Sequence, residues 1–358
     1  MSEVVLVTGG CGFIGSNYVR HLLGVRPQAK TVVLDKLTYA GHRPNLEKEE
    51  KSGRCEVVVG DIADAGLVKG LLEKHRPASI VNFAAESHVD RSIDEPAPFL
   101  HTNVTGTFVL LEATRNYLRG KMAPEKGLFR FVHLSTDEVH GSLELSDPPF
   151  RETSTFAPNS PYAASKAAAD HLCRAYFRTF AVPTVVLRPS NNYGPNQFPE
   201  KLIPLAILRA VAGEKIPVYG DGKQVRDWLY VEDTARAVEA ARKAGGAGEA
   251  YQVGADEEKE NVAVLGALCD LLDRMKPRAG GKSHRELMET VTDRPGHDRR
   301  YATDATKFKT GLSWQPKVSF MEGLERTVRW YLENPAWCQS VRARGYAGQR
   351  LGLGRSGS

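Results

Sequence analysis

Along the first half of the chain, short runs of β-branched and aliphatic residues alternate with longer stretches whose apolar positions recur every three or four residues. The short runs suit strands buried on both faces, and the longer stretches suit helices with one buried stripe. Strands are predicted at 4–8, 31–35, 56–59, 79–84, 130–135 and 183–189, and helices at 13–23, 65–74, 104–117 and 160–180. Strand and helix in alternation make βαβ units, whose crossovers join parallel neighbours. The fold class expected is therefore α/β, a doubly wound parallel sheet whose ligands sit beyond the carboxyl ends of the strands.

Beyond residue 190 the pattern changes. Asn, Pro, Gly and charge dominate SNNYGPNQFPEKLIP and VYGDGKQVRDWLYVED, and helical periodicity returns near 201–213, 232–244, 262–274 and 319–332. This predicts a large domain over 1–190, a smaller α/β lobe over 191–335 capping the cleft, and a partly disordered tail over 336–358. The KPRAGGKSH segment at 276–284 reads as a loop.

Composition narrows the function classes. With 41% hydrophobic and 25% charged residues among 358, the chain has the balance of a folded globular protein. A net charge of +5 invites a nucleic-acid reading, but four arginines (Arg342, Arg344, Arg350 and Arg355) lie in an acid-free Gly/Ser-rich end, and the body is near neutral. No nucleic-acid partner is expected. The cysteines Cys11, Cys55, Cys173, Cys269 and Cys338 show no metal-ligand spacing, so no metal is expected and a reducing, cytoplasmic setting fits. No run approaches the ~18 apolar residues of a membrane span, and no basic leader precedes the first strand, so no membrane partner is expected.

The first predicted strand runs into VTGGCGFIGS, with glycines at Gly9, Gly10, Gly12 and Gly15. Glycines at a strand-to-helix turn let backbone approach a pyrophosphate, which the helix N-terminus attracts with free N–H groups. Asp35 ends the next strand, where a carboxylate accepts ribose hydroxyls and repels a 2′-phosphate. The cofactor expected is NAD, although Lys36 beside Asp35 tempers the charge argument. Asp61, at the end of the third strand, suits either an adenine contact or a helix cap.

Tyr162 and Lys166 stand four apart in SPYAASKAAADHL, on one helix face with small residues between them. An ammonium close to a phenol stabilises phenolate and lowers its pKa, making tyrosine a usable base for hydride chemistry. The fifth strand ends in Thr136, Asp137 and Glu138. The hydroxyl can hold a substrate oxygen, and one carboxyl can act as acid and the other as base; equally, an acid there can simply cap a helix.

Together TGGCGFIGS, DKLTYAG, GDI, FAAESHVDRSI, STDEV, PYAASKAAADHL, SNNYGPNQFPEKLIPL, PVYGDGKQVRDWLYVED and TDRPGHDRRY resemble the extended short-chain dehydrogenase/reductases, and within them the nucleoside-diphosphate-glucose 4,6-dehydratases, chiefly those acting on dTDP-glucose. The resemblance covers about residues 4–316. It implies a Rossmann-type NAD lobe, a sugar-nucleotide lobe and a homodimer. Tyr162 is implied as the base at C4, Thr136 as holder of that oxygen, Lys166 as a ribose ligand, Glu138 as the base at C5 and Asp137 as the acid at C6. Implied cofactor contacts are Gly9, Gly12, Phe13, Ile14, Gly15, Asp35, Lys36, Leu37, Thr38, Asp61, Ile62, Ala84, Ala85, Glu86, Ser87, Thr102, Tyr162, Lys166 and Asn192. Implied substrate contacts are His88, Thr136, Asn191, Lys201, Leu202, Pro217, Val218, Tyr219, Arg226, Asn261, Asp293, Arg294, Pro295, Gly296 and His297. One departure is His140, in STDEVHG, where the family has tyrosine. UDP-glucose 4,6-dehydration, UDP-sugar epimerisation or decarboxylation, and non-catalytic NAD-responsive binding remain as alternatives.

Overall fold

The structure is a computed structural model that describes residues 3–120, 129–293 and 296–343. The expectations for Arg294, Pro295 and the end of the tail (344–358) fall outside these residues. Strands β1 (Val4–Thr8), β2 (Lys30–Asp35), β3 (Cys55–Val59), β4 (Ser79–Asn82), β5 (Arg130–Leu134), β6 (Thr184–Pro189) and β10 (Ala250–Val253) form one sheet, in the order β10-β6-β5-β4-β1-β2-β3. All six pairings are parallel. The chain starts in the middle, winds outward to β3, then crosses back to β4, which opens a crevice above β1 and β4.

Alternation along each strand feeds two cores. Val5, Val7 and Val33 pack on one face with Tyr18, Leu22 and Val238, from the helices Phe13–Val25 and Val231–Ala244. Leu6, Val32 and Leu34 pack on the other with Val68, Leu72, Leu110 and Cys173, from the helices Ala65–His75, Thr107–Arg119 and Pro161–Phe180. Side chains of the central strands are thus buried whichever way they point, so these strands read as unbroken apolar runs, while the edge strand β3 keeps Glu56 and Val59 exposed. A π-helical segment, Leu100–Gly106, precedes Thr107–Arg119, and the helix expected from 104 is α-helical only from Thr107.

The remaining strands belong to the smaller lobe. β7 (Asn191–Tyr193), β9 (Val225–Tyr230) and β11 (Glu258–Glu260) form a three-stranded sheet, and β8 (Ile216–Tyr219) pairs with β12 (Met288–Val291). A third core gathers the helices Leu202–Ala212, Asn261–Met275 and Phe320–Glu333. Segments beyond the expected boundary at residue 190 return to the large domain. β10 adds a seventh strand to the large sheet, Val231–Ala244 covers that sheet, and Phe308 and Trp314 join its core. The segment at 276–284 includes a short turn, Ala279–Gly281, and is tied at its end by Ser283 Oγ donating to Asp273 at 2.6 Å.

Candidate active site

The glycine turn leads from β1 into Phe13–Val25. Gly9 has φ 67°, and a Cβ there would lie 2.6 Å from the Ala84 backbone nitrogen. A Cβ on Gly15 would lie 2.4 Å from the Gly9 carbonyl oxygen. Only glycine allows this packing. The helix that follows has no side-chain cap and no acid in its first turn, so its leading N–H groups face the cleft ready for an anion. Asp35 accepts from Cys11 N at 2.9 Å and from Leu37 N at 2.8 Å, so it braces the glycine loop as well as facing the cavity. Lys36 is committed to Asp61 at 2.8 Å. Its charge is met there, and the pair, with His101 at 3.1 Å, outweighs partial burial and lowers the Asp61 carboxyl.

The cavity above these residues, about 300 Å³, is lined by every expected cofactor contact except Leu37. Ala84, Ala85, Glu86 and Ser87 follow β4, and Thr102 lies in the π-helical segment. Leu37, at φ 54°, instead packs its side chain against the core.

Tyr162 and Lys166 lie in the first turns of Pro161–Phe180, which Ser160 caps by accepting from Ala163 N at 3.1 Å. Lys166 donates to the Leu134 carbonyl at 2.6 Å, at the end of β5. Burial pulls its ammonium down to about 8, against the opposing pull of Asp170. The sequence expectation that Lys166 lowers the Tyr162 phenol is not how the two are balanced here. Burial raises Tyr162, Glu138 adds to that, and a hydrogen bond with Thr136 opposes it.

After β5, Thr136 caps a short turn, Asp137–His140, by accepting from Glu138 N at 3.3 Å. The capping role open to the two acids is thus taken by the hydroxyl. Asp137 is 2% exposed and its Oδ2 has no hydrogen-bond partner. Burial, then the neighbouring Glu138 and Asp227, push its carboxyl up to about 8, so it holds a proton at neutral pH. Glu138 is less buried and faces both this cavity and the next. The two carboxyls therefore share one turn but not one environment.

A second cavity, about 580 Å³, meets the first at Glu138, Asn191, Glu200 and Lys201. Of the expected substrate contacts it collects His88, Asn191, Lys201, Leu202, Pro217, Tyr219, Arg226, Asn261 and His297. Alternation along β8 turns Val218 into the core instead. Asp293 sits behind His297, with His297 Nδ1 at 2.6 Å from its Oδ1, and Gly296 (φ 64°) forms the turn between them. Thr136 stays with the first cavity. Arg226 donates to the Asp298 carbonyl at 2.9 Å and lies 4.2 Å over the Tyr301 ring.

Sequence reasoning passed over Glu200 and Tyr301. Glu200 accepts from Tyr39 at 3.2 Å, and burial raises it to about 7. An acid next to Lys201 reads along the chain as one half of a solvated pair, and only its burial sets it apart. His140 is 3% exposed, stacks on Phe150 and lies 2.7 Å from Gln252 of β10. Burial lowers its imidazole to about 4, so the ring is neutral. Among the described residues no group of three or more His, Cys, Asp or Glu is placed to hold a metal ion.

A parallel sheet with a glycine turn at its switch point, and a Tyr-x-x-x-Lys helix facing the same crevice, define a short-chain dehydrogenase/reductase of the extended, two-lobed kind. The chain belongs to the family described as GDP-mannose 4,6 dehydratase, whose model matches residues 6–327. It is 51% identical to a dTDP-glucose 4,6-dehydratase of Xanthomonas campestris pv. campestris over 97% of this chain and 98% of that one. A dTDP-glucose 4,6-dehydratase of Escherichia coli is 50% identical over 96% of each. The crystal structure of a dTDP-glucose 4,6-dehydratase from Streptomyces venezuelae with NAD bound superposes with a TM-score of 0.86 at 44% identity, over 95% of this chain and 100% of that one.

Proposed function

We propose that this protein is an NAD-dependent hydro-lyase that converts dTDP-glucose to dTDP-4-dehydro-6-deoxyglucose and water. The observation that carries the reading is Asp137, a carboxyl held protonated up to about 8 beside Glu138 and in the same cavity as Tyr162 and Lys166. An enzyme that only oxidised or epimerised a sugar would need no such acid.

The glycine turn, the uncapped helix end and Asp35 suit NAD, with Lys36 neutralised by Asp61. NAD held there would supply the acceptor for the C4 hydride and the donor of that hydride to C6. Tyr162, in its phenolate form, accepts the C4 hydroxyl proton while Thr136 holds the oxygen, giving a 4-ketone that acidifies C5. Glu138 removes the C5 proton, and Asp137 gives its proton to the C6 hydroxyl as it leaves as water. Glu138 then returns a proton to C5. His88, Asn191, Lys201, Leu202, Pro217, Tyr219, Arg226, Asn261 and His297 line the space for the sugar nucleotide, with Arg226 and Lys201 as its cations.

The chain works as a homodimer in a reducing, cytoplasmic setting. Leu100, Phe108 and Phe180, each at least 36% exposed, support a paired helical face, and five free, buried cysteines support the compartment. Among the described residues no helix is long and apolar enough to cross a membrane.

The test is incubation with dTDP-glucose or UDP-glucose in deuterated water, followed by mass and NMR analysis. The expected product is a 4-keto-6-deoxy sugar from dTDP-glucose with deuterium at C5 and no consumption of added NAD. Absence of product from every nucleotide-activated glucose overturns the reading, and product from UDP-glucose alone replaces the nucleotide.

A further inference from the structure

Behind Lys166 lies a set of buried charged and polar groups that the reaction as proposed does not use. Helical spacing places Tyr162, Lys166 and Asp170 at successive i, i+4 positions on the buried side of Pro161–Phe180. Asp170 is 3% exposed; its Oδ2 accepts from Arg188 Nε at 2.8 Å, and its Oδ1 lies 3.9 Å from His133 Nε2. The His133 ring is oriented from its far side. Thr8 donates to Asn82 Oδ1 at 2.6 Å, which turns the Asn82 amide N–H toward His133 Nδ1 at 3.1 Å. With Nδ1 accepting, the neutral ring carries its proton on Nε2, toward Asp170.

Asp170 Oδ1, His133 Nε2, Arg188 Nη1 and Ser135 Oγ are all buried without a hydrogen-bond partner. Burying so many imperfectly paired groups is unfavourable, and apolar residues of the same volume fill such space at less cost. A purely structural role does not account for the arrangement, whereas a fixed charge beside the redox centre does.

We propose that Asp170 is a positioning residue of the redox centre, a negative charge held by Arg188 that keeps Lys166 an ammonium at the buried end of the cavity. This rests on the dehydratase reading above, in which Lys166 works as a cation. The groups around Lys166 are Asp170 and Cys173 from its own helix, the Leu134 carbonyl and His133 from β5, and Tyr162, Asp137 and Glu138 lining the same cavity, while Arg188 from β6 meets Asp170. Against burial, Asp170 is the largest influence that holds the ammonium up. Burial keeps His133 neutral, as it does His140, which feels both Arg188 and Asp170.

Asp170→Asn keeps the shape and an acceptor for Arg188 but removes the charge. The measurement is the single-turnover rate of C4 oxidation, read as the absorbance of reduced NAD against pH, in an Asp137→Asn background where the elimination acid no longer titrates. The alkaline limb is expected to move to lower pH by about one unit or more, and the pH dependence of the NAD dissociation constant, from calorimetry, to move with it. Arg188→Gln, which leaves the Asp170 charge to act on Lys166 alone, is expected to move the limb the other way. It also serves as the deciding variant if Asp170→Asn does not fold. A limb that stays in place, with the rate lowered equally at every pH, assigns packing alone and overturns the proposal; so does movement of both variants in the same direction. Product formation by the unaltered protein tests the dehydratase reading separately, so an unmoved limb in a protein that makes product removes only the Asp170 assignment.

Discussion

Asp137 and Glu138 are adjacent in sequence, yet burial treats them differently. Asp137 is enclosed and raised to about 8, while Glu138 faces the meeting point of two cavities. Asp137→Asn is expected to lower turnover by about 10²- to 10⁴-fold while C4 oxidation and C5 exchange persist. Accumulation of reduced NAD and deuterium uptake into recovered substrate check this. Because the acid must carry its proton, turnover of the unaltered protein should decline as pH rises through about 8. His140 invites a stability measurement. Its folded pKa is depressed from 6.5 to about 4, so protonation favours the unfolded chain. Its contribution is complete above 6.5 and is lost as pH falls toward 4, by on the order of 3 kcal/mol at most. Other groups titrate in the same window, so the difference between the unaltered protein and His140→Tyr, from denaturant midpoints across that range, isolates the effect.

At the scale of elements, a turn with no freedom to change joins β1 to its helix. Gly9→Ala puts a Cβ 2.6 Å from the Ala84 backbone, at a left-handed φ that disfavours any side chain. It is expected to destabilise the fold by about 1–3 kcal/mol and to weaken NAD binding at least ~10-fold. Thermal melting and calorimetry read the two effects. The glycine spacing made this turn legible from sequence, because the constraint is local. The π-helical segment Leu100–Gly106 was not legible, since its apolar residues fit an ordinary helix as well. Val218 was misplaced for a related reason: a motif names three consecutive residues of β8, but a strand turns only alternate ones to the cavity.

At the scale of the molecule, the large sheet is completed from far along the chain. β10 supplies an edge, and Val231–Ala244 covers the core that contains Val5, Val7 and Val132. A fragment of residues 1–190 is therefore expected not to fold alone. Circular dichroism and gel filtration should show an unfolded or aggregated species, and the full chain should melt with both lobes in one transition.

The alternation of the first six strands with helices, the glycine turn and the choice of Tyr162, Lys166, Thr136, Asp137 and Glu138 as candidates were legible in the sequence, because each depends on periodicity or on spacing within a few residues. What the tertiary structure decided was which of those side chains are deprived of water and which charges meet. Lys36 is met by Asp61, Asp137 is raised while Glu138 stays closer to the open cavity, and Glu200 is enclosed between the two lobes. Solvation and electrostatic pairing depend on distances between segments as remote as 61 and 36, or 170 and 188, and no local pattern encodes them.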